Sequence, residues 1–145
     1  VESDGVMIAY TSVYGHTKQA VEYLADELTK KGCPKVVVCD LAREDMAEAV
    51  EDAFRYGKLI LATTTYNGEI FPFMNTFIRE LTERNYQKRK LAFIENGSWA
   101  PMAAKYMTKL FIESKDIELA GTVTIKGAVT DENKVQLTEL AEKFK

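Results

Sequence analysis

The chain contains the run Leu59-Ile60-Leu61-Ala62-Thr63-Thr64-Thr65, in which four apolar residues are followed by three hydroxyl side chains. Because its apolar residues are continuous rather than alternating, the run predicts a strand buried on both faces, as in a parallel sheet covered by helices. Four more stretches are strand-like: Val6–Tyr10, Lys35–Leu41, Lys90–Glu95 and Leu119–Lys126.

Segments in which apolar residues recur at helical spacing separate these strands. They span Thr17–Lys31, Asp45–Phe54, Pro72–Glu83, Ala100–Ile112 and Asp131–Phe144. The third is expected to bury Phe73, Phe77 and Leu81 as one stripe. Strict alternation of strands and helices predicts an α/β fold of three layers, with a five-stranded parallel sheet between the helices. Right-handed crossovers favour the doubly wound strand order 2-1-3-4-5.

The composition is that of a globular protein, with 145 residues of which 46% are hydrophobic and 28% charged. No linker-like segment interrupts the chain, so we expect one domain over residues 1–145. A net charge of −3 argues against nucleic-acid or membrane-surface partners, and no apolar run reaches the roughly 18 residues of a membrane span. Two cysteines, Cys33 and Cys39, cannot staple a secreted scaffold, so a cytoplasmic setting is expected. The single histidine, His16, argues against a metal centre built by this chain.

Ligands of doubly wound sheets bind at the carboxyl ends of the strands, near the switch point between the first and third strands. The loop after the first strand reads Thr11-Ser12-Val13-Tyr14-Gly15-His16-Thr17. Its hydroxyl groups and Gly15 suit a helix N-terminus that binds a phosphate through neutral donors, without a cationic clamp. The same residues also suit an ordinary capped turn between a strand and a helix.

Other phosphate-binding and catalytic patterns are absent from the sequence. It has neither a P-loop nor the dinucleotide-binding GxGxxG pattern. The acidic cluster and the phospho-accepting aspartate of a receiver domain are also missing, and the first loop has no cysteine to act as a phosphatase nucleophile. We therefore expect no side chain of this chain to act as a catalytic acid, base or nucleophile.

Two further loops combine an Asn-Gly turn with aromatic residues. Thr65-Tyr66-Asn67-Gly68-Glu69-Ile70-Phe71-Pro72 follows the third strand, and Glu95-Asn96-Gly97-Ser98-Trp99-Ala100-Pro101 follows the fourth. For either loop alone, turn chemistry and core packing explain these residues as well. Aromatic residues in two loops beside a phosphate site instead favour a flat ligand with a terminal phosphate, which describes flavin mononucleotide (FMN).

The same three loops resemble those of the flavodoxin family, and most closely the flavodoxin-like domain of the A-type flavoproteins, or flavo-diiron proteins. The resemblance covers essentially the whole chain. It implies that the FMN phosphate is held by Ser12, Val13, Tyr14, Gly15, His16 and Thr17. It implies that the isoalloxazine ring is held by Thr65, Tyr66, Asn67, Gly68, Glu69, Asn96, Gly97, Ser98 and Trp99. Where this family often has Ser-Pro, the chain has Thr63-Thr64, and where a second glycine often follows, it has Glu69.

The resemblance also implies a function and partners. The chain would be an electron-transfer domain that serves a di-iron domain, N-terminal in the same polypeptide, which reduces dioxygen or nitric oxide. An electron donor of the rubredoxin or NAD(P)H-reductase kind and a homodimer of the full-length form are implied as well. Because the chain begins with Val1 rather than Met, it is expected to be an incomplete enzyme cut from a longer protein. Three alternatives remain: a free-standing flavodoxin, an NAD(P)H:quinone oxidoreductase, and a nucleotide-binding module without redox function.

Overall fold

The computed structural model describes residues 3–12, 15–66, 69–70, 72–97 and 102–145. In chain order, the elements are β1 (Ser3–Tyr10), α1 (His16–Lys30), β2 (Val36–Asp40), α2 (Met46–Arg55), β3 (Tyr56–Tyr66), β4 (Glu69–Ile70), α3 (Pro72–Glu83), β5 (Arg89–Asn96), α4 (Ala103–Leu110), β6 (Ile117–Ile125) and α5 (Asp131–Phe144). The predicted strands and helices are therefore all present, with ends that differ from the prediction by a few residues.

Five of the strands form a parallel sheet in the order β2-β1-β3-β5-β6. This order confirms the predicted 2-1-3-4-5 arrangement, because β4 is a short additional strand that pairs only with β3. The pairing is antiparallel and joins Thr65 to Ile70 and Tyr66 to Glu69. A strand of two residues has no measurable periodicity, so the sequence does not predict it.

Both faces of the sheet are buried, as the continuous apolar runs predict. Along β3, Leu59 and Leu61 belong to the core under α2, α3 and α4, whereas Ile60 and Ala62 belong to the core under α1 and α5. The alternation follows from the strand geometry, which points successive side chains to opposite faces. The same alternation continues into Thr63 and Thr64, whose side chains point to opposite faces of the sheet.

The prediction that Phe73 is buried in the apolar stripe of α3 is wrong, because Phe73 is 49% exposed. The residues of α3 that are buried are Met74, Phe77, Ile78 and Leu81. At about 100° per residue, Phe73 lies roughly a quarter turn away from the centre of that stripe. Within the described part of the chain, none of the helices is long and apolar enough to cross a membrane.

Candidate functional site

The carboxyl ends of β1, β3 and β5 lie side by side, so the three predicted loops begin at one edge of the sheet. Tyr10 is paired with Ala62, and Thr64 is paired with Asn96. Beyond the end of β1, the N–H group of Thr11 still donates to the carbonyl of Ala62 at 3.0 Å. The fold therefore brings together the segments in which the sequence analysis placed a ligand.

The first loop ends in a helix N-terminus that Ser12 partly caps. The hydroxyl oxygen of Ser12 accepts the N–H groups of Gly15 at 3.1 Å and Lys18 at 3.4 Å. Gly15 itself is the N-cap residue of α1, in the left-handed conformation with φ of +85°, and a Cβ built on it has no atom of the described residues beyond its chain neighbours within 4 Å. The first N–H groups of a helix have no partner within the helix, and the helix dipole favours an anion there. As far as the described residues extend, the space beside Gly15 is open, which suits a phosphate group.

Thr17 and His16, which were also predicted to bind the phosphate, occupy the first turn of α1. Thr17 is 1% exposed, and its Oγ1 accepts the Nδ2–H of Asn96 at 3.5 Å. Thr17 can therefore offer an external anion its backbone N–H, while its hydroxyl group faces the protein. His16 is partly exposed at the same turn.

Asn96 at the end of β5 uses its side chain to hold the loop between β6 and α5. Its Nδ2 donates to the carbonyl of Gly127 at 3.2 Å, and the N–H of Gly127 donates to its Oδ1 at 3.1 Å. Asn96 is 5% exposed, and the next N–H, that of Gly97, donates to the carbonyl of Ile125 at 3.0 Å. The predicted role in ring binding thus rests on the backbone after Asn96, because the amide group is already engaged.

Glu95 is a buried carboxylate that the sequence analysis did not single out. It is 8% exposed, and its Oε1 accepts the N–H of Ala104 at 3.1 Å while its Oε2 accepts the hydroxyl of Thr124 at 2.6 Å. Ala104 lies in the first turn of α4, where the helix dipole stabilises a negative charge. Glu95 therefore fixes the start of α4, and with it the far end of the loop that follows β5. In the sequence, the signal for this role is an acidic residue directly after the apolar run Leu91–Ile94.

Two threonine hydroxyl groups join the ends of β1 and β3. Thr11 Oγ1 and Thr63 Oγ1 are 2.5 Å apart, and both residues are buried. Thr64 differs from both, because its buried Oγ1 has no hydrogen-bond partner among the described residues. Buried hydroxyl groups without a partner are uncommon and point to a missing ligand, ion or water.

Tyr10 closes β1 at the same edge. Burial, and to a smaller extent the neighbouring carboxylate of Asp40, raises the pKa of the Tyr10 phenol above its ordinary value. The phenol is therefore neutral at physiological pH and donates or accepts hydrogen bonds rather than carrying charge.

Several predicted site residues lie outside the described part of the chain. These are Val13, Tyr14, Asn67, Gly68, Ser98 and Trp99. Of Thr65, Tyr66 and Glu69, only the backbone in β3 and β4 is described. Among the residues that are described, no three His, Cys, Asp or Glu side chains form a group that could hold a metal ion.

The described residues fit the polar half of FMN. They provide a helix N-terminus, the hydroxyl of Ser12, an open approach at Gly15 and the unpartnered hydroxyl of Thr64. These are neutral donors, which can bind a phosphate monoester through several hydrogen bonds to an ionised group.

Comparison with known proteins agrees with this fold. A family model described as a flavodoxin domain matches residues 7–139. Among curated proteins, no sequence matches the chain.

Solved structures superpose on nearly the whole chain. Rubredoxin oxygen:oxidoreductase from Desulfovibrio gigas has a TM-score of 0.89 at 19% identity, covering 99% of this chain and 35% of that one. A flavo di-iron protein from Thermotoga maritima has a TM-score of 0.82 at 25% identity, covering 99% and 36%. Flavodoxin 1 from Bacillus cereus has a TM-score of 0.79 at 17% identity, covering 97% and 96%. The chain thus spans about a third of the oxidoreductase and of the flavo di-iron protein, and nearly all of the flavodoxin.

Proposed function

The chain belongs to the flavodoxin family, whose model matches residues 7–139, and from that premise we propose that it binds FMN and transfers electrons through it. The observation that carries the proposal is the start of α1, where Ser12 contacts two N–H groups beside the open space at Gly15. A bound flavin supplies the redox chemistry, so the protein has to hold it and set its surroundings.

In this proposal the phosphate is held by the loop between β1 and α1. The N–H groups of His16 and Thr17 at the start of the helix donate to its oxygens, and the hydroxyl hydrogen of Ser12 is free to donate in addition to the bonds its oxygen accepts. Val13 and Tyr14 complete the loop. Because the helix dipole and several N–H groups act together, no lysine or arginine clamp is needed.

The isoalloxazine ring is assigned to the other two loops of the same edge. Thr65–Glu69 and Asn96–Trp99 would flank it, with Tyr66 and Trp99 against its faces. The hydrogen bonds of Glu95 and Asn96 support this role. They fix the end of β5, where the second of these loops starts, and the start of α4, where it ends. Fixed ends of this kind reduce the conformational freedom that a loop loses on binding a ligand.

We further propose that the electrons pass to a di-iron domain of the same polypeptide that reduces dioxygen or nitric oxide, and that they come from a rubredoxin-like or NAD(P)H-reductase-like donor. Support comes from the similarity to rubredoxin oxygen:oxidoreductase and to the flavo di-iron protein from Thermotoga maritima, each nearly three times as long as the matched segment. The second candidate is a free-standing electron shuttle, favoured by the equally complete match to a flavodoxin of similar length.

The cofactor is tested by releasing it from the purified chain with acid and identifying it by mass spectrometry. One FMN per chain is expected, and FAD is not, because the sequence contains no dinucleotide-binding fingerprint beside the phosphate loop. The affinity for FMN is then measured by titrating the apoprotein, prepared by the same acid treatment, with FMN. Recovery of FAD, or no binding of FMN after reconstitution, would overturn the proposal.

The partner is tested by reducing the isolated holoprotein anaerobically and mixing it with dioxygen or nitric oxide in a stopped-flow instrument. Slow reoxidation, like that of free flavin, is expected from the chain alone, and much faster iron-dependent turnover from the full-length protein. Rapid catalytic consumption of nitric oxide by the isolated, iron-free chain would contradict the di-iron assignment. Steady oxidation of NAD(P)H by quinone without a second protein would instead identify a quinone oxidoreductase.

A further inference from the structure

The two edges of the parallel sheet differ in how they are protected from pairing with another strand. At the β6 edge, Ala120 forms a bulge without a partner in β5, and the Nζ of Lys143 donates to its carbonyl at 3.2 Å. At the β2 edge, five consecutive residues pair with β1 without a shift in register. Bulges and lysine side chains are common means of preventing a sheet edge from accepting a further strand. The β6 edge has both of these features, whereas the outer side of β2 is regular.

The backbone of β2 has unpaired hydrogen-bonding groups at alternate residues. The carbonyl of Lys35 accepts the N–H of Val6, and the N–H of Leu41 likewise donates to a carbonyl of β1. Because successive residues of a strand point their backbone groups to opposite sides, those of Val36 and Val38 point away from the sheet. No group of the described residues bonds to them. The outer side of β2 thus presents two N–H groups and two carbonyls at the spacing that an added strand needs.

A groove runs along the same strand on the side of α1. Its volume is about 690 Å³, and Val36 and Val38 line it from β2. Val38 is 39% exposed, whereas Val37 and Cys39, on the opposite face, belong to the core that α2 covers. A strand added to β2 would therefore cover apolar side chains as well as backbone groups.

The other wall of the groove is acidic. Glu22 and Asp26 line it from α1. Glu22 forms no ion pair within the described part of the chain, and Asp26 pairs with Lys30 at 3.3 Å, where both side chains are exposed. Exposed pairs of this kind contribute little and can be exchanged for others. Residues 36–54, which contain β2 and most of α2, include six acidic residues and one basic residue, and the nearest lysine in the sequence, Lys35, precedes the strand. The groove therefore favours a positively charged partner.

We propose that an extended segment of a partner protein, rich in lysine or arginine, binds the outer edge of β2 as an additional strand. Its backbone pairs with Val36 and Val38, and every second side chain points into the groove. There the aliphatic parts of the basic side chains cover the two valines, and their charged ends reach Glu22 and Asp26. Because this surface is separate from the loops after β1, β3 and β5, the proposal does not depend on FMN binding.

A second copy of the chain fits this edge less well. An antiparallel pair of β2 strands would place the α1 helices of both copies on the same face of the joined sheet. Glu22 and Asp26 of each copy would then line one shared groove, and like charges brought together across an interface oppose association. The acidic wall thus distinguishes a basic partner from a dimer.

The test measures hydrogen–deuterium exchange in the isotope-labelled holoprotein, with a short peptide of alternating lysine and valine as the probe. In the free protein, the N–H groups of Val36 and Val38 should exchange rapidly, and those of Val37 and Cys39, which point toward β1, should exchange slowly. A saturating amount of the peptide should slow exchange at Val36 and Val38 by at least about tenfold. The same peptide with glutamate in place of lysine is the control and should not bind.

Two substitutions separate strand pairing from attraction by charge. Val38→Pro removes an outward N–H and keeps the bonds to β1, so the protein should fold and bind the lysine peptide at least about fivefold more weakly. Glu22→Gln should bind it about two- to fivefold more weakly, the loss expected for one exposed ion pair, and this difference should shrink at high salt. Glu139→Gln, at an exposed position of α5, is the matched control and should bind the peptide like the wild type.

The exchange pattern identifies the occupant of the edge. Slower exchange at Val36 and Val38 with the lysine peptide alone, lost in Val38→Pro, would establish strand addition. Equal binding of the two peptides, binding without slower exchange at these residues, or no binding would overturn the proposal. Protection of Val36 and Val38 that grows with protein concentration in the absence of peptide would also overturn it, because the occupant would then be a second copy of the chain.

Discussion

Asn96 and Gly127 form a reciprocal pair, in which the side-chain amide of one bonds both the N–H and the carbonyl of the other, at 3.1 and 3.2 Å. The pair connects the end of β5 to the loop after β6. Gly127 has a φ of +87°, so the loop turns there in a conformation that favours glycine. Asn96 therefore acts as a clamp at the edge where FMN is proposed to bind.

Asn96→Ala should lower the free energy of unfolding by about 1–3 kcal/mol, because it leaves the N–H and the carbonyl of the partly buried Gly127 without these partners. Urea denaturation of the apoprotein measures the loss. Asn75→Ala, at a partly exposed position of α3, is the matched control and should change the stability by no more than about 0.5 kcal/mol. Equal effects of the two substitutions would show that the hydrogen bonds between Asn96 and Gly127 do not stabilise the fold.

The sequence predicts the strands because a strand buried on both faces has a continuous apolar run, such as Leu59–Ala62. It predicts their order because strands and helices alternate and crossovers are right-handed. It also predicts which loops meet, because the topology of a doubly wound sheet places them at one edge. The short β4 and the exposure of Phe73 were not predicted, since the first is too short for periodicity and the second depends on how α3 is rotated against the sheet.

The polar connections of the site could not be predicted for a different reason. Thr11 bonds Thr63 across 52 positions of the chain, and Glu95 bonds Thr124 across 29. Such contacts depend on the register between strands, which a single sequence does not reveal. Asn96 was predicted to help hold the ring, whereas the structure shows its amide bonded to Gly127 in the loop after β6.

Tyr86→Phe should leave the protein as stable as the wild type, or more stable, at pH 8. The substitution removes a buried hydroxyl that has no partner among the described residues and keeps the ring contacts. Urea denaturation measures the change. A loss of more than about 1 kcal/mol would reveal a bond to the phenol oxygen.

The same variant should be less sensitive to alkaline pH. Burial raises the pKa of the Tyr86 phenol, against a smaller opposing effect of the Arg89 guanidinium, 5.0 Å from its ring centre. In the unfolded chain the phenol ionises near pH 10, whereas the folded chain keeps its proton, so stability falls as pH rises past about 10. The advantage of Tyr86→Phe over the wild type should therefore grow between pH 8 and 10.5, and a constant difference would contradict it.

Trp99 is the one tryptophan of the chain, so its emission reports directly on the proposed ring site. Stacking against the flavin should quench it, and removing FMN should restore it. The free amino-acid derivative N-acetyltryptophanamide, mixed with the same concentration of FMN, corrects for absorption by the flavin. Equal emission from the holoprotein and the apoprotein would assign Trp99 to packing instead of ring binding.

Gly15→Val should weaken FMN binding by at least tenfold more than riboflavin binding. Among the described residues, none outside the chain neighbours lies within 4 Å of an added Cβ, so the new side chain would occupy the approach to the N–H groups of α1. Displacing a phosphate from several bonds to N–H groups costs more than losing one neutral hydrogen bond. Parallel titrations of the apoprotein with FMN and riboflavin measure the difference.

Gly32→Val is a control that introduces the same kind of backbone strain at the opposite end of α1. Gly32 follows α1 at its other end, with a φ of +92° and, like Gly15, nothing within 4 Å of an added Cβ. Both substitutions force a branched residue into the left-handed region, so both should destabilise the apoprotein by a similar amount, about 1–2 kcal/mol. Only Gly15→Val should then separate FMN from riboflavin. If Gly32→Val produced the same separation, strain in α1 would explain the loss, and the phosphate would have to be held elsewhere.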